Sequence, residues 1–316
     1  MGKEKGYLLL DVDTGHDDAV AICIALASKT LELIGITTVA GNQTVDKTTF
    51  NTLKILTLVG ASHIPVAKGC YRPLIRPLET AEEMHGITGL DGADLPWPSV
   101  KAIGKHAVDF LRETLLSLTD AVTIVATAPL TNLATLLLLA PEVSEKIKRI
   151  IFMGGAISRG SKTPVAETNV YVDPEAAKIV INSGIPITMV TLDITEQTAI
   201  TLSDLRELLG NGRLSEVFID LLTFYAKRRY EVRGLPNVAL HDAVAVAAAI
   251  EPTLIKTELL PVDVETEGNL TRGMTVVDLR PRSKTRANVN VAVDIDVKLF
   301  QEVLRSTFYN LNNKVI

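Results

Sequence analysis

The stretch from Tyr7 to Ala27, which reads YLLLDVDTGHDDAVAICIALA, constrains the fold of this chain more than any other. It begins with an apolar run, and a short apolar run is typical of a strand buried in a parallel sheet. It continues with Asp17 and Asp18 followed by an apolar face, which predicts a helix with acids in its first turn. We therefore expect a strand that leads into a helix, and open α/β sheets bind their ligands at such junctions.

Four aspartates stand at that junction, namely Asp11, Asp13, Asp17 and Asp18. Carboxylates this close in sequence repel one another unless a cation lies between them. Carboxylate oxygens suit hard cations, and Ca²⁺ takes several such ligands from flexible turns. The alternative is that two of the acids complement the helix dipole while the other two cap a turn. That alternative explains one or two of the acids well and all four poorly, so the pattern favours a metal site.

Strands and helices alternate along most of the chain. This predicts a single α/β domain over residues 1–316, with an open, mostly parallel, Rossmann-like sheet, helices on both faces and right-handed crossovers. Residues 185–195 are predicted to form a strand, and residues 202–229 to be mainly helical. From Glu258 to Val297 strands follow one another, which predicts a C-terminal β-containing extension of the same domain. The stretch from Tyr71 to Pro98 is long for a loop in a compact domain, so we expect an active-site lid.

The composition narrows the classes of partner. The net charge is −5 and the isoelectric point is near 5.6, which gives no reason to expect nucleic acid as a partner. The mean hydropathy is high at +0.25, but no apolar run approaches the length needed to cross a membrane. Two cysteines make no disulfide framework, and the start of the chain lacks a signal-peptide pattern. These features predict a cytoplasmic globular protein.

Polar residues recur just after other predicted strands or at helix starts. They are Asn42, Thr127, the group Glu167-Thr168-Asn169 and the pair His241-Asp242. Such positions converge at one edge of a parallel sheet even when they are distant in sequence. Each has an alternative as a turn residue or a helix N-terminal charge, so their shared position is what favours a site. His241 is a candidate general acid, and His85 is a second candidate, although a histidine in a loop is usually solvated.

Seven motifs follow one another along nearly the whole chain. They are DVDTGHDDAVAI from Asp11, AGNQTVDKTTFNTL from Ala40, HGITGLDG from His85, VATAPLTNLA from Val125, FMGGA from Phe152, PVAETNVYVDPEAA from Pro164 and HDAVAVA from His241. Any one alone would be a weak signal. The seven in this order closely resemble the nucleoside hydrolase family, the Ca²⁺-dependent inosine–uridine type. That family hydrolyses the N-glycosidic bond of ribonucleosides to ribose and free base.

The resemblance implies a Ca²⁺ site and an activated water. The implied ligands are Asp13, Asp18, Asp242 and the backbone carbonyl of Thr127. Asp13 would also be the base that takes a proton from a metal-bound water, since a cation lowers the pKa of that water. Carboxylates around the sugar would stabilise an oxocarbenium-like ribosyl centre while water attacks one face. Asp11 would support this arrangement from behind.

The resemblance also implies residues that bind the substrate. Asp17, Asn42, Glu167, Asn169 and Asp242 would hold the ribose hydroxyls, and Met153 and Ser161 are further substrate-binding positions. His241 would protonate the departing base, with His85 as the second candidate donor. Tyr225, Arg229 and Tyr230 are candidates for lining the base pocket.

Members specific for purines tend to lack this histidine and stack the base between aromatic side chains. The only tryptophan here is Trp97, so we expect a preference for uridine and cytidine, with inosine as a further substrate. The alternatives are a purine-specific nucleosidase of the same family and a non-catalytic, Ca²⁺-dependent nucleoside-binding protein. A haloacid-dehalogenase-type phosphatase is disfavoured, because Gly15 stands where that pattern wants threonine or valine. The family is usually dimeric or tetrameric, so we expect a homo-oligomer.

Four residues depart from the usual motifs of the family, namely Thr14, Ala128, Ser161 and Thr168. Thr168 replaces an aromatic residue beside the ribose, and Ser161 stands where an asparagine often contacts the 5′-hydroxyl. None of the four removes an implied metal ligand or the acid. We therefore expect this chain to share the family's reaction more closely than it shares any member's preference for a base.

Overall fold

The computed structural model describes residues 5–281 and 283–314. In this part of the chain the strands are β1 (Gly6–Val12), β2 (Leu31–Thr38), β3 (Val66–Lys68), β4 (Val122–Ala126), β5 (Ile147–Met153), β6 (Ile187–Val190), β7 (Ile255–Leu260), β8 (Val262–Val264), β9 (Thr275–Val277) and β10 (Val289–Ile295). The α-helices are α1 (His16–Ala27), α2 (Val45–Leu58), α3 (Glu82–His85), α4 (Ala107–Ser117), α5 (Thr131–Leu139), α6 (Thr168–Val172), α7 (Pro174–Ile181), α8 (Leu192–Thr195), α9 (Leu202–Leu209), α10 (Arg213–Arg233), α11 (His241–Ile250) and α12 (Val297–Asn312). None of these described helices is long and apolar enough to cross a membrane.

Eight of the strands form one sheet in the order β3-β2-β1-β4-β5-β6-β10-β7. Adjacent strands in this sheet are parallel, except β10 and β7, which pair antiparallel at one edge. The predicted open, mostly parallel α/β fold is therefore confirmed. The chain runs outward from β1 to β2 on one side and to β4 on the other. The carboxyl ends of β1 and β4 thus form the switch point at which open sheets bind ligands.

The apolar run of β1 explains why helices cover both faces of the sheet. Leu8 and Leu10 pack into a layer with residues of α1 and α11, whereas Leu9 packs into the opposite layer with α5 and α7. Successive side chains of a strand point to opposite faces, so a continuous apolar run needs cover on both. All three leucines are fully buried, and each burial stabilises the fold by about 1.5–3 kcal/mol.

The C-terminal strands are more closely integrated into the fold than an extension would be. β10 lies inside the main sheet, parallel to β6, and β7 follows it as the edge strand. Only β8 and β9, among the described strands, form a separate antiparallel pair. The succession of strands in the sequence does indicate antiparallel pairing. The insertion of β10 beside β6 depends on contacts between distant segments, which a local pattern does not report.

Two element boundaries differ from the sequence prediction. Residues 185–195 are not one strand, because β6 ends at Val190 and the short helix α8 follows. Asp193 in the first turn of α8 accepts a hydrogen bond of 2.7 Å from the backbone N–H of Ile157, which ties this turn to the loop after β5. Helix α10 continues four residues beyond the predicted end, to Arg233, and stops at Gly234, whose φ of 69° is the left-handed cap conformation that favours glycine.

The predicted lid, Tyr71 to Pro98, is only partly irregular. It contains α3, which packs against α10. His85, the last residue of α3, is 6% exposed, so it is not the solvated histidine that its loop position suggests. The structure therefore makes His85 part of the protein interior.

Candidate active site

Strand ends and helix starts converge on one cavity at the switch point. Of the residues singled out in the sequence, its wall contains Asp17, Asn42, His85, Thr127, Met153, Ser161, Glu167, Asn169, Tyr225, His241 and Asp242. Asp13 and Asp18 lie beside this wall and bond to residues that form it. Two groups of side chains stand out. The carboxylate cluster is Asp13, Asp17, Asp18 and Asp242, and the histidine cluster is His16, His85, Tyr225 and His241.

The carboxylate cluster contains a set of oxygens close enough to share one ion. One carboxylate oxygen each from Asp17, Asp18 and Asp242 lie within 4.8 Å of one another. The fold fixes Asp18 in particular, because its carboxylate accepts hydrogen bonds from Gly15 N at 2.8 Å and Thr127 Oγ1 at 2.7 Å. Burial, and then the neighbouring charge of Asp17, raise the pKa of Asp18 to about 7.

Asp13 adjoins this set through Asn42. Its two carboxylate oxygens accept hydrogen bonds from the backbone N–H of Asn42 at 2.6 Å and from Asn42 Nδ2 at 3.1 Å. Asn42 Nδ2 also lies 3.5 Å from Asp18 Oδ2. Burial and the charge of Asp18 raise the pKa of Asp13 well above its ordinary value. A Cβ atom on Gly41 would overlap the Asp13 carboxylate, so only glycine permits this close approach.

The cluster fits a hard divalent cation. Four buried carboxylates meet here, and within residues 5–281 and 283–314 no lysine, arginine or histidine forms an ion pair with any of them. Mutual repulsion and burial together disfavour the charged forms, and a bound cation reverses that effect. Oxygen donors of this kind are typical of Ca²⁺ and Mg²⁺ sites.

Asp11 lies behind the cluster, at the end of β1. Its Oδ1 accepts hydrogen bonds from Thr37 Oγ1 at 2.6 Å and from Asn132 Nδ2 at 2.7 Å. Its Oδ2 is buried and has no partner among the described residues. Burial raises the pKa of Asp11 to about 6. Asp11 thus ties β1 to β2 and α5 and does not reach the cavity wall.

Glu167 and Asn169 are held by the backbone of neighbouring segments. The Glu167 carboxylate accepts hydrogen bonds from Asn169 N at 2.9 Å and from Gly155 N at 3.1 Å, which caps the start of α6. Asn169 Nδ2 donates to the carbonyl oxygens of Thr127 at 3.2 Å and Met153 at 3.1 Å. The carbonyl of Thr127 is therefore oriented by a side chain of the same cavity wall.

His241 begins α11 and is anchored at one nitrogen. Its Nδ1 lies 2.7 Å from Thr195 Oγ1. Its Nε2 is buried without a hydrogen-bond partner in the described structure, and Glu196 Oε1 is 4.0 Å away. Glu196 in turn forms an ion pair with Arg229. Burial, followed by the charges of Arg229 and Arg233, lowers the pKa of His241 well below its ordinary value.

The other members of the histidine cluster form a stack. The rings of His16 and His85 have centroids 5.3 Å apart, and Tyr225 lies 5.3 Å from His16 and 5.4 Å from His85. The planes are within 23° of parallel. Phe224 covers the outer side of His16 at 5.6 Å. Of these rings, only those of His85 and Tyr225 belong to the cavity wall.

Two residues expected to line the base pocket do not reach the cavity. Tyr230 is 61% exposed, and Arg229 is buried against Glu196 and Asn237. Both lie on α10, and an error of one position along a helix moves a side chain by about 100°. Arg233, which the sequence analysis missed, does line the wall because α10 continues past the predicted end. Arg233 lies about two helical turns after Tyr225, on the same side of α10, and this spacing could have identified it as a residue of the cavity wall.

Thr195 and Glu196 were also missed, because Thr195 was predicted to end a strand and Glu196 to follow it directly. In the structure β6 ends at Val190, so these two residues turn back toward α11. No local motif marks them, and their relation to His241 becomes visible only in three dimensions.

Comparison with known proteins agrees with the geometry. A family model described as inosine-uridine preferring nucleoside hydrolase matches residues 8–302. A pyrimidine-specific ribonucleoside hydrolase RihA from Citrobacter koseri is 45% identical over 306 residues, which is 96% of this chain and 98% of that protein. Its counterpart in an Escherichia coli O7:K1 strain is 44% identical over the same shares.

A solved structure gives the same result for the fold. A purine-preferring ribonucleoside hydrolase from Gardnerella vaginalis superposes with a TM-score of 0.90 at 34% identity, covering 98% of this chain and 99% of its own. The match thus extends over the whole sheet and the segments that form the cavity. The chain therefore belongs to the inosine–uridine preferring nucleoside hydrolase family, and it is an enzyme that hydrolyses the N-glycosidic bond of ribonucleosides.

Proposed function

We propose that this enzyme is a Ca²⁺-dependent ribonucleoside hydrolase that prefers pyrimidine nucleosides and uses His241 to protonate the departing base. The observation that carries the proposal is the position of His241, which lines the same cavity as Asp17 and Asp242 and whose buried Nε2 has no hydrogen-bond partner among the described residues. Cleavage of a bond to a poor leaving group needs a general base and a general acid at the same cavity.

The proposed ligands of Ca²⁺ are Asp13, Asp18, Asp242 and the carbonyl oxygen of Thr127. Asp17 is close enough to Asp18 and Asp242 to be a further ligand, since one carboxylate oxygen from each of the three lies within 4.8 Å of the others. When bound, Ca²⁺ supplies positive charge that fixes the ribose hydroxyls and lowers the pKa of a coordinated water.

Asp13 is the proposed general base. A cation bound beside it would keep its carboxylate ionised and therefore able to accept a proton. Its two bonds to Asn42 hold the carboxylate in one orientation. As the glycosidic bond breaks, Asp13 takes a proton from the attacking water, and the surrounding carboxylates stabilise the positive charge that develops on the ribose.

The ribose is held by side chains that the structure brings to one wall. We assign this role to Asp17, Asn42, Glu167, Asn169 and Asp242, with Met153 and Ser161 as neighbouring contacts. Hydrogen bonds to the hydroxyls place the anomeric carbon between the base and the acid. Orientation of this kind can lower the barrier as much as the acid itself.

Pyrimidine preference rests on the relatives of higher identity. The relatives from Citrobacter koseri and Escherichia coli are pyrimidine-specific at 45% and 44% identity, whereas the one from Gardnerella vaginalis is purine-preferring at 34%. The second candidate is therefore a purine preference. Trp97 does not stack a base in the cavity, because it is 80% exposed and packs against Phe50.

The test is ribose release from uridine, cytidine, inosine and adenosine, each measured with Ca²⁺ and after chelation. We expect release that fails on complete removal of the metal and returns with Ca²⁺, with uridine and cytidine turned over best. A higher rate on inosine and adenosine would replace the pyrimidine preference with the second candidate. Binding of uridine without any release would contradict hydrolysis and support a nucleoside-binding protein.

Two further expectations belong to the same proposal. The enzyme is expected to be a homodimer or homotetramer, which light scattering coupled to gel filtration measures directly. It is also expected to act in the cytoplasm, which fractionation of cells that express a tagged full-length chain would test.

A further inference from the structure

Arg233 is a cation in the wall of the cavity, and the proposed function assigns it no task. It is the last residue of α10, which Gly234 ends. Among the residues that the structure describes, its guanidinium forms no ion pair and donates no hydrogen bond. A guanidinium has N–H donors and no acceptor, and it does not lose its proton in proteins. The cavity therefore contains a permanent positive charge whose donors are unused.

The neighbouring arginines of α10 are used by the protein itself. Arg229 is fully buried and forms an ion pair with Glu196. Arg228 donates a hydrogen bond of 2.8 Å from its Nε to the carbonyl oxygen of Glu83. Of these three arginines, Arg233 is thus the one whose N–H groups are available to a ligand in the described structure.

A simpler role for Arg233 is to complement the negative end of the helix dipole. An exposed arginine in the last turn would do this equally well, whereas Arg233 is half-buried in the cavity wall. Burial raises the pKa of both Glu167 and Tyr225, which line the same cavity, and the charge of Arg233 acts in the opposite direction on both. The positive charge therefore acts inside the cavity and not only on the end of α10.

Cleavage of the N-glycosidic bond separates charge in a way that this cavity can complement. The bond between C1′ and the ring nitrogen breaks, and its electron pair leaves with the base. The ribose becomes oxocarbenium-like, and carboxylates stabilise its positive charge. Negative charge spreads over the departing base onto its carbonyl oxygens. Fixed donors directed at an oxygen on which charge develops lower the barrier, as an oxyanion hole does.

We propose that Arg233 binds a carbonyl oxygen of the departing base and stabilises the negative charge that develops there. This inference deepens the proposed function and rests on it for the course of the reaction. The water that attacks C1′ gives a proton to Asp13, and His241 delivers the proton that the base finally carries. Arg233 keeps its own protons throughout and only donates hydrogen bonds.

The same contact selects among bases. Uracil, cytosine and hypoxanthine each carry a carbonyl oxygen, whereas adenine carries an amino group and no carbonyl oxygen. A site built around a donor rejects a ligand that leaves that donor without a partner. Arg233 is therefore expected to disfavour adenosine relative to the three nucleosides whose bases carry a carbonyl oxygen.

The first experiment separates the base from the sugar. Calorimetry measures the binding of free uracil and of free ribose to the Ca²⁺-loaded protein. Arg233→Met removes the charge and the donors, and we expect it to weaken uracil binding roughly 10-fold without changing ribose binding. Arg213→Met is the matched control, because Arg213 is exposed at the start of α10, about 30 Å along the helix from Arg233. This control should bind both ligands as the wild type does.

The outcomes that contradict the proposal are distinct. A wild type that binds no uracil overturns it, as does an Arg233→Met variant that binds uracil as tightly as the wild type. Equal weakening of uracil and ribose would mean that Arg233 supports the fold of the cavity and does not face the base. Arg233→Lys keeps the charge but not the planar fork, so it should recover part of the lost affinity, and it replaces Arg233→Met if that variant fails to fold.

Kinetics tests the stabilisation of charge. Arg233→Met should lower kcat/KM for uridine roughly 100-fold. The loss should be smaller for 5-fluorouridine, because fluorine stabilises the departing anion, and smaller for adenosine, because its base has no carbonyl oxygen. Equal losses on the three substrates would contradict a contact between Arg233 and the base.

A double-mutant cycle shows whether Arg233 acts directly. Arg233→Met is also introduced into His241→Ala, and the two losses in kcat/KM for uridine are compared. A direct contact with the base predicts that the loss caused by Arg233→Met persists without His241. If the loss disappears in that background, Arg233 acts only through His241, which contradicts the proposal.

The failure of this inference can be told apart from the failure of the proposed function. If the wild type released no ribose from any nucleoside, the proposed function would fail, and the uracil titration would still decide whether Arg233 faces the base. If inosine were the best substrate, the base preference would be corrected and the role of Arg233 would stand, because hypoxanthine carries a carbonyl oxygen.

Discussion

The carboxylate cluster and the histidine cluster share one cavity and the helices α1 and α11, but different kinds of contact hold them in place. Asp13 and Thr127 directly follow the central strands β1 and β4, and the cluster is tied to the backbone by bonds of 2.6–2.8 Å. The histidine cluster comes from helices α1, α3, α10 and α11, and stacking provides most of its contacts. Hydrogen bonds to the backbone thus fix the groups proposed to activate water, whereas ring contacts fix the groups proposed to face the base.

The largest expected effect is on the carboxylate side. Asp13→Asn removes the proposed base and should lower kcat/KM by roughly 1000-fold for every nucleoside and for p-nitrophenyl riboside alike. Steady-state release of ribose and of nitrophenol measures both. Asp46→Asn is the matched control, because the Asp46 side chain is 78% exposed and lies outside the cavity. Full activity of Asp13→Asn would remove Asp13 from the mechanism.

On the histidine side the effect should depend on the leaving group. His241→Ala should lower kcat/KM for uridine and inosine by roughly 100-fold, since their bases need a proton to leave. p-Nitrophenyl riboside needs none and should lose much less. The ratio of the two losses is the measurement, and a ratio near one would show that the two clusters do not divide the work in this way.

A smaller change tests how tightly the carboxylate side is positioned. Gly41→Ala places a Cβ atom against the Asp13 carboxylate and should lower activity on all substrates by roughly 10- to 100-fold. Gly104→Ala is the control, because a Cβ atom there meets no atom within 4 Å. If Gly41→Ala were as active as Gly104→Ala, the position of Asp13 would tolerate more movement than its hydrogen bonds indicate.

The smallest effect is expected at Tyr230, which the sequence suggested for the base pocket. Tyr230→Ala should change kcat/KM by no more than about 2-fold, because its side chain is exposed and outside the cavity wall. Tyr225→Ala, five residues earlier on the same helix, should weaken activity on natural nucleosides much more. A comparison of the two kcat/KM values measures the register of α10 at the cavity.

The parts of the site that the sequence predicted are those that lie at strand ends. The apolar run before Asp11 and the acids after it defined β1 and α1, and the same reasoning placed Asn42, Thr127 and Asp242 at one edge. This works because the direction of a parallel strand fixes which end carries function. A short segment therefore contains most of the information about these positions.

The parts that the sequence did not predict depend on long-range packing. His85 lies in a stretch rich in proline, glycine and acids, and nothing local indicates that α10 buries it. Thr195 reaches His241 only because β6 stops early. One of the two neighbours of β6 in the sheet is β10, about a hundred residues later in the chain. Such contacts have no periodic signal, so His85, His241 and Tyr225 could be singled out in the sequence, but their convergence could not be predicted.

The place of Asp242 in the chain has a consequence for how the protein is made. Asp18 and Asp242 meet in the carboxylate cluster although 224 residues separate them in sequence. At a synthesis rate of about 5–20 residues per second, a ribosome needs roughly 10–45 seconds to pass from one to the other. During that interval the nascent polypeptide contains Asp13, Asp17 and Asp18 but not yet Asp242. Strand β6 likewise has no β10 to pair with until later still. Assembly of the cluster is therefore a late event in the biogenesis of the enzyme.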